Sequence, residues 1–126
     1  MLYAFLYSAI TILALDAVWL TVNFSAHQKL FTSVQKSAMK VRLIPALLVY
    51  VLIPGALTYF AIETSKSLKE SVKKGALMGL SMYGLYDLTN LATLNGWTYE
   101  MFFKDTLWGT FVCAVGSGVG FYMTTR

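Results

Sequence analysis

Three aspartates lie within or directly beside long apolar runs, where carboxylates are rare. Asp16 and Asp87 interrupt two such runs, and Asp105 stands immediately before another. A carboxylate that faces lipid costs about 2.5 kcal/mol or more, so these side chains are expected to face the interior of a helix bundle. A carboxylate held there can bind a proton, a cation or the polar end of a small solute, or it can only hydrogen-bond a neighbouring helix.

Helical spacing places further polar side chains beside Asp87. Tyr83, Asp87 and Asn90 recur at i, i+4 and i+7 and therefore share one helix face. Tyr86 and Asn90 form an adjacent stripe. Interhelical hydrogen bonds average only about 0.6 kcal/mol, and bonds of this kind explain the stripes as well as a functional polar site does. Both interpretations stay open.

A short pattern, D-x-x-W-x-T, occurs in the first and last apolar segments, at Asp16 to Thr21 and at Asp105 to Thr110. Three identities in six positions are too few to establish an internal repeat. At i, i+3 the indole shares the face of the carboxylate and its N–H can donate a hydrogen bond. An aromatic belt at the membrane interface is the competing explanation for the tryptophans. The predicted polar site comprises Asp16, Trp19, Tyr83, Tyr86, Asp87, Asn90, Asp105 and Trp108.

Composition favours a membrane protein. Hydrophobic residues make up 57% of the chain and charged residues 13%, against about 25% charged in an ordinary soluble domain. The net charge of +4 comes from Lys and Arg between the apolar runs. That placement suits contact with anionic lipid headgroups better than nucleic-acid binding, which is not expected. The single cysteine, Cys113, excludes an internal disulfide.

The elements that position these residues are four predicted membrane-spanning helices, each about 20 residues or longer. They cover residues 2–24, 43–62, 75–94 and 106–124, and an amphipathic helix lying at the membrane interface is predicted within 25–42. The fold is therefore an all-α, integral membrane four-helix bundle, and residues 1–126 form one domain. The first run is read as a retained helix and not a signal peptide, because no Lys or Arg precedes it and it contains an aspartate.

Depth in the membrane gathers the polar residues at one end. We call side B the face with the loops 25–42 and 95–105, and side A the face with the termini and the loop 63–74. Asp16 and Asp87 lie roughly 12 and 10 Å from the side B ends of their helices, at about 1.5 Å per residue. All three tryptophans fall toward side B as well. Each side carries five Lys or Arg, so the positive-inside rule leaves the orientation and the identity of the membrane open.

Small residues and prolines predict how the helices pack. Gly75 and Gly79 in the third helix, and Gly116 and Gly120 in the fourth, have GxxxG spacing. We expect both pairs to close a hairpin near side A that widens toward side B, although one pair could serve dimerisation instead. Pro54 lies in the middle of the second helix and predicts a kink.

The run Tyr86 to Trp97, YDLTNLATLNGW, and the following DTLWGT at 105–110 resemble the signature of a family of predicted membrane proteins, the domain of unknown function 2177. The segment LDAVWL at 15–20 is similar to the N-terminal motif of that family. The likeness covers nearly the whole chain and departs from the family in the lysine-rich segment 63–74 and in the loop after the first span. It implies a small four-helix membrane protein and no particular activity. The resemblance marks as signature positions Asp16, Asp87, Asn90, Trp97, Asp105 and Trp108.

The residues argue against an enzyme. His27 is the only histidine and is expected at the surface, and no catalytic triad, phosphate loop or zinc motif is present. No catalytic residue, resident metal or cofactor is predicted. The weakest alternative is a metal-dependent lipid-modifying enzyme in which Asp16, Asp87 and Asp105 together hold Mg²⁺ or Ca²⁺.

Two functional classes remain. The preferred one is the handling of protons, cations or a small solute through the polar site near side B. The alternative is a structural scaffold or accessory subunit of a larger membrane assembly, including a virion or organellar complex. A bundle of 126 residues has little room for an internal pore, so a homo-oligomer or a larger complex is expected.

Overall fold

The computed structural model describes residues 1–36 and 42–125, and these form helices and connecting turns without a strand. The helices are α1 (Leu2–Gln35), α2 (Leu43–Leu57), α3 (Leu68–Thr93) and α4 (Tyr99–Thr125). A π-helical turn, Thr58–Ile62, continues α2 and is called here the π turn. The predicted all-α bundle is confirmed.

Three helical segments are long and apolar enough to cross a membrane: α1, α2 together with the π turn, and α4. The remaining helix, α3, is long enough but less apolar, because Gly, Ser, Tyr, Asp and Asn interrupt its leucines. Ser71, Gly75, Gly79, Gly84 and Asp87 are buried, whereas Leu77, Leu80, Leu85 and Leu88 are exposed. This arrangement gives α3 an apolar outer face, which suits lipid, and a polar face within the bundle.

The second span matches the predicted 43–62, whereas the other three helices extend past at least one predicted limit. α1 continues past Phe24 to Gln35, so residues 25–35 extend the first span and do not form a separate interfacial helix. Residues 37–41 of that predicted helix lie outside the described residues. Hydropathy detects the part of a helix that lipid surrounds, and it does not detect a polar continuation of the same helix beyond the membrane.

α3 and α4 begin earlier than predicted, and hydrogen-bonded caps explain both starts. The Ser67 hydroxyl accepts the Glu70 backbone N–H at 3.1 Å, and the Glu70 carboxylate accepts the Lys66 backbone N–H at 2.8 Å. Reciprocal capping of this kind stabilises a helix start in polar sequence. At α4, the Thr98 hydroxyl accepts the Met101 backbone N–H at 3.0 Å.

The extension of α1 packs on the α3–α4 turn, residues 94–98. The rings of Phe31 and Trp97 lie 5.5 Å apart, and Gly96 lies beside Ser33 and Val34. Gly96 has a φ of 91°, which side-chain-bearing residues rarely adopt, so the Asn-Gly pair allows the chain to reverse here. At the opposite end, the N-terminal amine lies 3.5 Å from the Glu63 carboxylate, which places the N-terminus beside the α2–α3 connection.

The glycines pack helices closely, but the two GxxxG pairs do not face each other. A Cβ on Gly75 or Gly79 would overlap the α4 backbone at Cys113 or Gly109, whereas Gly116 lies against Ile12 of α1. Gly120 likewise lies near the π turn and the start of α1. Gly109 and Cys113, four residues apart, lie on the face of α4 that meets α3. Gly116 and Gly120 lie on another face of α4, which meets α1 and the π turn.

The predicted widening of the α3–α4 hairpin toward side B is wrong. Gly109 lies against the Tyr83 ring, and Gly84 lies close to Thr106, so contact continues along both helices. The space toward side B lies between this hairpin and the first two helices. A small apolar core fills the bundle nearer side A and is made of Ile12, Leu57, Ala61, Val112 and Cys113.

Pro54 is buried within α2, and the π turn follows one helical turn later. The Thr58 hydroxyl donates to the Pro54 carbonyl oxygen at 2.7 Å, which satisfies an acceptor at this irregular point. Prolines and π turns are both common causes of helix bending. The regular α-helix is therefore interrupted near the residue where the sequence predicts a kink, and the interruption takes the form of the π turn.

Candidate functional site

A cavity of about 420 Å³ lies between all four helices toward side B, and we call it the side B cavity. Of the described residues, 15 line it; eight of these carry aromatic rings and two carry carboxylates. Its volume lies in the range of about 300–1,000 Å³ that is typical of small-molecule sites.

Asp16 joins three helices in the wall of the cavity. Its Oδ1 accepts a hydrogen bond from Trp108 Nε1 of α4 at 2.8 Å, and its Oδ2 accepts one from the Tyr50 hydroxyl of α2 at 2.9 Å. The side chain is buried, with 8% of the residue exposed. The indole partner of Asp16 is therefore the tryptophan of the second D-x-x-W motif and not Trp19 of its own.

The two D-x-x-W motifs meet through their rings as well. Trp19 and Trp108 stack with centroids 4.6 Å apart and planes within 9°. Offset stacking of this kind contributes about 0.5–1.5 kcal/mol beyond burial of the ring area. The resemblance between the two motifs thus has a physical counterpart, since one motif supplies the carboxylate and the other the indole that binds it.

Asp105 also lines the cavity and is partly buried. Its carboxylate is an electrostatic neighbour of both Asp16 and Asp87. Within the described residues no Lys, Arg or His forms an ion pair with any of these three aspartates. The adjacent Lys104 instead donates to the Asn23 side-chain oxygen at 3.3 Å.

Asp87 is fully buried but does not line the cavity. Its neighbours are the Asp105 carboxyl and the Trp97 indole, and neither meets it at ordinary hydrogen-bonding geometry. Both Asp87 oxygens, Trp97 Nε1 and Thr106 Oγ1 are without a hydrogen-bonding partner among the described residues. The structure therefore brings Asp16 and Asp105 to the cavity and leaves Asp87 behind its wall.

The remaining predicted side chains of α3 divide in the same way. Tyr83 and Tyr86 line the cavity, and the Tyr86 ring lies 6.1 Å from that of Trp97. Asn90 lies outside the lining and next to Tyr86. Trp19 and Trp108 are in the lining. Six of the eight predicted site residues thus surround one cavity.

The sequence pattern of the predicted membrane protein family DUF2177 matches residues 1–122. The chain belongs to this family. Neither a curated protein nor a solved structure matches the chain. Membership, together with three helical segments apolar enough to cross a membrane, establishes this DUF2177 protein as an integral membrane protein.

Nine of the 15 lining residues of this DUF2177 protein were not predicted as site residues, and four of these nine carry aromatic rings: His27, Phe31, Tyr50 and Trp97. Tyr50 carries the only side-chain hydroxyl in the aliphatic helix α2, which was a usable signal. His27 was expected at the surface but is partly buried between Trp19 and Phe31, with each ring centroid 6.5 Å away. Had α1 been continued past Phe24, the i, i+4 spacing of His27 and Phe31 would have placed these two rings on one helix face.

Metal binding finds no support in the grouping of side chains. Across residues 1–36 and 42–125, no three His, Cys, Asp or Glu side chains of the DUF2177 protein are arranged to hold a metal ion. What the cavity offers instead is an aromatic enclosure with carboxylates at its wall.

Proposed function

We propose that this protein binds a small solute in the side B cavity and passes it into or across the membrane. The observation that supports the proposal is the combination of a mainly aromatic cavity of about 420 Å³ with the carboxylates of Asp16 and Asp105. A few polar groups in an otherwise apolar cavity are typical of small-molecule sites. Carboxylates inside a membrane bundle commonly mark a solute or ion pathway.

The two carboxylates have different tasks in this proposal. Asp16 is fixed by its bonds to Tyr50 and Trp108, so it presents a charge at a constant position. Asp105 accepts neither of those bonds. Because it lies nearer the side B end of α4, it is the first carboxylate that a solute entering from side B meets. Trp19, Trp97 and Tyr86 supply the apolar wall.

Flux through liposomes tests the proposal. Purified protein is reconstituted, and the movement of protons, monovalent cations and small solutes is measured for the wild type, Asp16→Asn and Asp105→Asn. We expect both substitutions to lower the flux, and Glu63→Gln to leave it unchanged. Glu63 is the matched control because it loses the same charge at the side A end of the bundle, beside the N-terminus.

A folded and correctly inserted wild-type protein that moves nothing over a range of pH would refute transport. Binding without flux would reduce the proposal to solute binding in the cavity.

A second candidate is a structural scaffold, and one observation favours it. The bonds of Asp16 to Tyr50 and Trp108 tie α1, α2 and α4 together without any ligand. In this case Asp16→Asn lowers the stability of the protein and leaves flux and binding untouched. Association into a homo-oligomer or a larger assembly, and contact of the basic loops with anionic headgroups, belong to this candidate and are measured by mass in detergent and by vesicle binding.

A further inference from the structure

We propose that the side B cavity binds a small organic monocation, specifically a substituted ammonium. The inference rests on the proposed function, since it names the class of solute that the same cavity takes. Two independent features lead to it, the balance of charge around the cavity and the type of surface that encloses it.

The acidic side chains that line the cavity have no basic partner among the described residues. Asp16 and Asp105 line the cavity, and within the described residues neither forms an ion pair. The nearest lysine in the sequence, Lys104, donates to the side chain of Asn23. A carboxylate removed from water is stabilised by a cation, and a cationic solute would supply one.

The enclosing surface favours an organic cation over a metal ion. Hard metal cations need several oxygen ligands close together, and no suitable group of acidic side chains occurs in the described residues. The rings of Trp19, Tyr83, Tyr86 and Trp97 instead line the space. Aromatic faces attract substituted ammonium groups through cation–π interactions, and cages of such rings are a known means of recognising quaternary ammonium.

The same features disfavour an anionic solute. Among the described residues that line the cavity, only His27 has a basic side chain, and its Nδ1 lies 3.0 Å from the Asn23 carbonyl oxygen. An anion would therefore face two carboxylates, and no Lys or Arg in the described part of the lining offsets them.

The tryptophans provide a direct measurement. All three tryptophans of the chain, Trp19, Trp97 and Trp108, line the cavity, so intrinsic fluorescence reports on it alone. The purified full chain is titrated with choline and with the larger benzyltrimethylammonium. The neutral comparison is 3,3-dimethylbutan-1-ol, in which a carbon replaces the quaternary nitrogen of choline, and acetate serves as the anion. We expect a saturable change with the cations, at least tenfold weaker binding of the neutral isostere, and no saturable change with acetate.

Variants connect the signal to the carboxylates. Asp105→Asn is expected to weaken binding of the cations fivefold or more and to leave binding of the neutral isostere unchanged. This substitution is preferred to Asp16→Asn, which risks unfolding because Asp16 joins three helices. Glu63→Gln, at the side A end, is expected to bind as the wild type does.

The outcomes separate the inference from the proposed function. If the neutral isostere binds as tightly as choline, or if Asp105→Asn binds both cations normally, the inference is overturned and solute binding in the cavity stands. If neither cation gives a saturable change, the inference is also overturned. The proposed function falls only if neutral and anionic solutes fail as well and the liposomes show no flux.

Discussion

The hydrogen bonds of Asp16 give the sharpest prediction about the bundle. Tyr50→Phe removes one hydroxyl, preserves the ring and leaves Asp16 Oδ2 without its donor at 2.9 Å. Hydrogen bonds to charged groups contribute about 1.5–3 kcal/mol in soluble proteins, while interhelical bonds in membranes average about 0.6 and reach about 1.7. Because Asp16 is buried, we expect a loss of about 1–2 kcal/mol in the free energy of unfolding.

The assay is equilibrium unfolding in mixed micelles, followed by tryptophan fluorescence. Tyr59→Phe is the matched control, because Tyr59 is on the adjacent π turn and 61% exposed, and we expect it to change stability by less than about 0.5 kcal/mol. A double-mutant cycle of Tyr50→Phe with Asp16→Asn isolates the interaction between the two residues, and a coupling of about 0.5 kcal/mol or more is expected. Every tryptophan stays in place, so fluorescence still follows unfolding in each variant.

The reasoning would be refuted if Tyr50→Phe destabilised the protein no more than Tyr59→Phe does. It would also fail if the two substitutions in the cycle were additive, since Asp16 and Tyr50 would then stabilise the bundle independently.

Three further predictions concern the packing and the ends of the helices. Gly79→Ala should destabilise the protein by about 1–3 kcal/mol in thermal unfolding, because the new Cβ would overlap the backbone of Gly109. The control is Gly55→Ala, which has room for a Cβ and should cause no measurable loss of stability. Equal effects of the two substitutions would contradict the close approach of α3 and α4. Ser71→Ala and Ser117→Ala should each lower the free energy of unfolding by about 0.5–1.5 kcal/mol. The double variant should lose less than the sum, because the two serines hydrogen-bond each other across α3 and α4. Strict additivity of the two losses would argue against that hydrogen bond. The Lys66 backbone N–H and the Lys74 ammonium lower the pKa of Glu70 from its ordinary value of 4.5, so its contribution is fully present above that pH and is lost as the pH falls through the lowered value. The protection factors of amides at the start of α3, which correct for the intrinsic pH dependence of exchange, should therefore fall on acidification in the wild type and not in Glu70→Gln. Identical pH profiles of protection in the two proteins would exclude the effect.

The sequence alone was sufficient for the class of protein and for the depth of its polar residues. Low charge and long apolar runs require lipid, because a soluble core of this size would need more polar surface. Depth follows from counting residues along a helix, since each adds about 1.5 Å. That count placed Asp16 and the tryptophans toward one end, and the structure gathers Asp16, Trp19, Trp97 and Trp108 around one cavity there.

The helical period also identified correctly which side chains of a single helix share a face. Tyr83 and Tyr86 of α3 reach the cavity, and Gly75 and Gly79 meet α4. The period could not predict how a side chain is placed relative to a second helix. Asp87 shares a face with Tyr83, yet it points behind the cavity wall toward Asp105.

Only the tertiary structure decided which partner each polar group takes. Asp16 binds Trp108 and Tyr50 and not the neighbouring Trp19, and Gly116 packs on α1 and not on α3. The physical reason is that a sequence fixes the angle of a side chain about its own helix, whereas the rotation of one helix against another depends on how all four pack together. The class of the protein and the depth of its aspartates were therefore determined by the sequence of each helix taken separately. The cavity that unites Asp16, Asp105 and the aromatic rings was not.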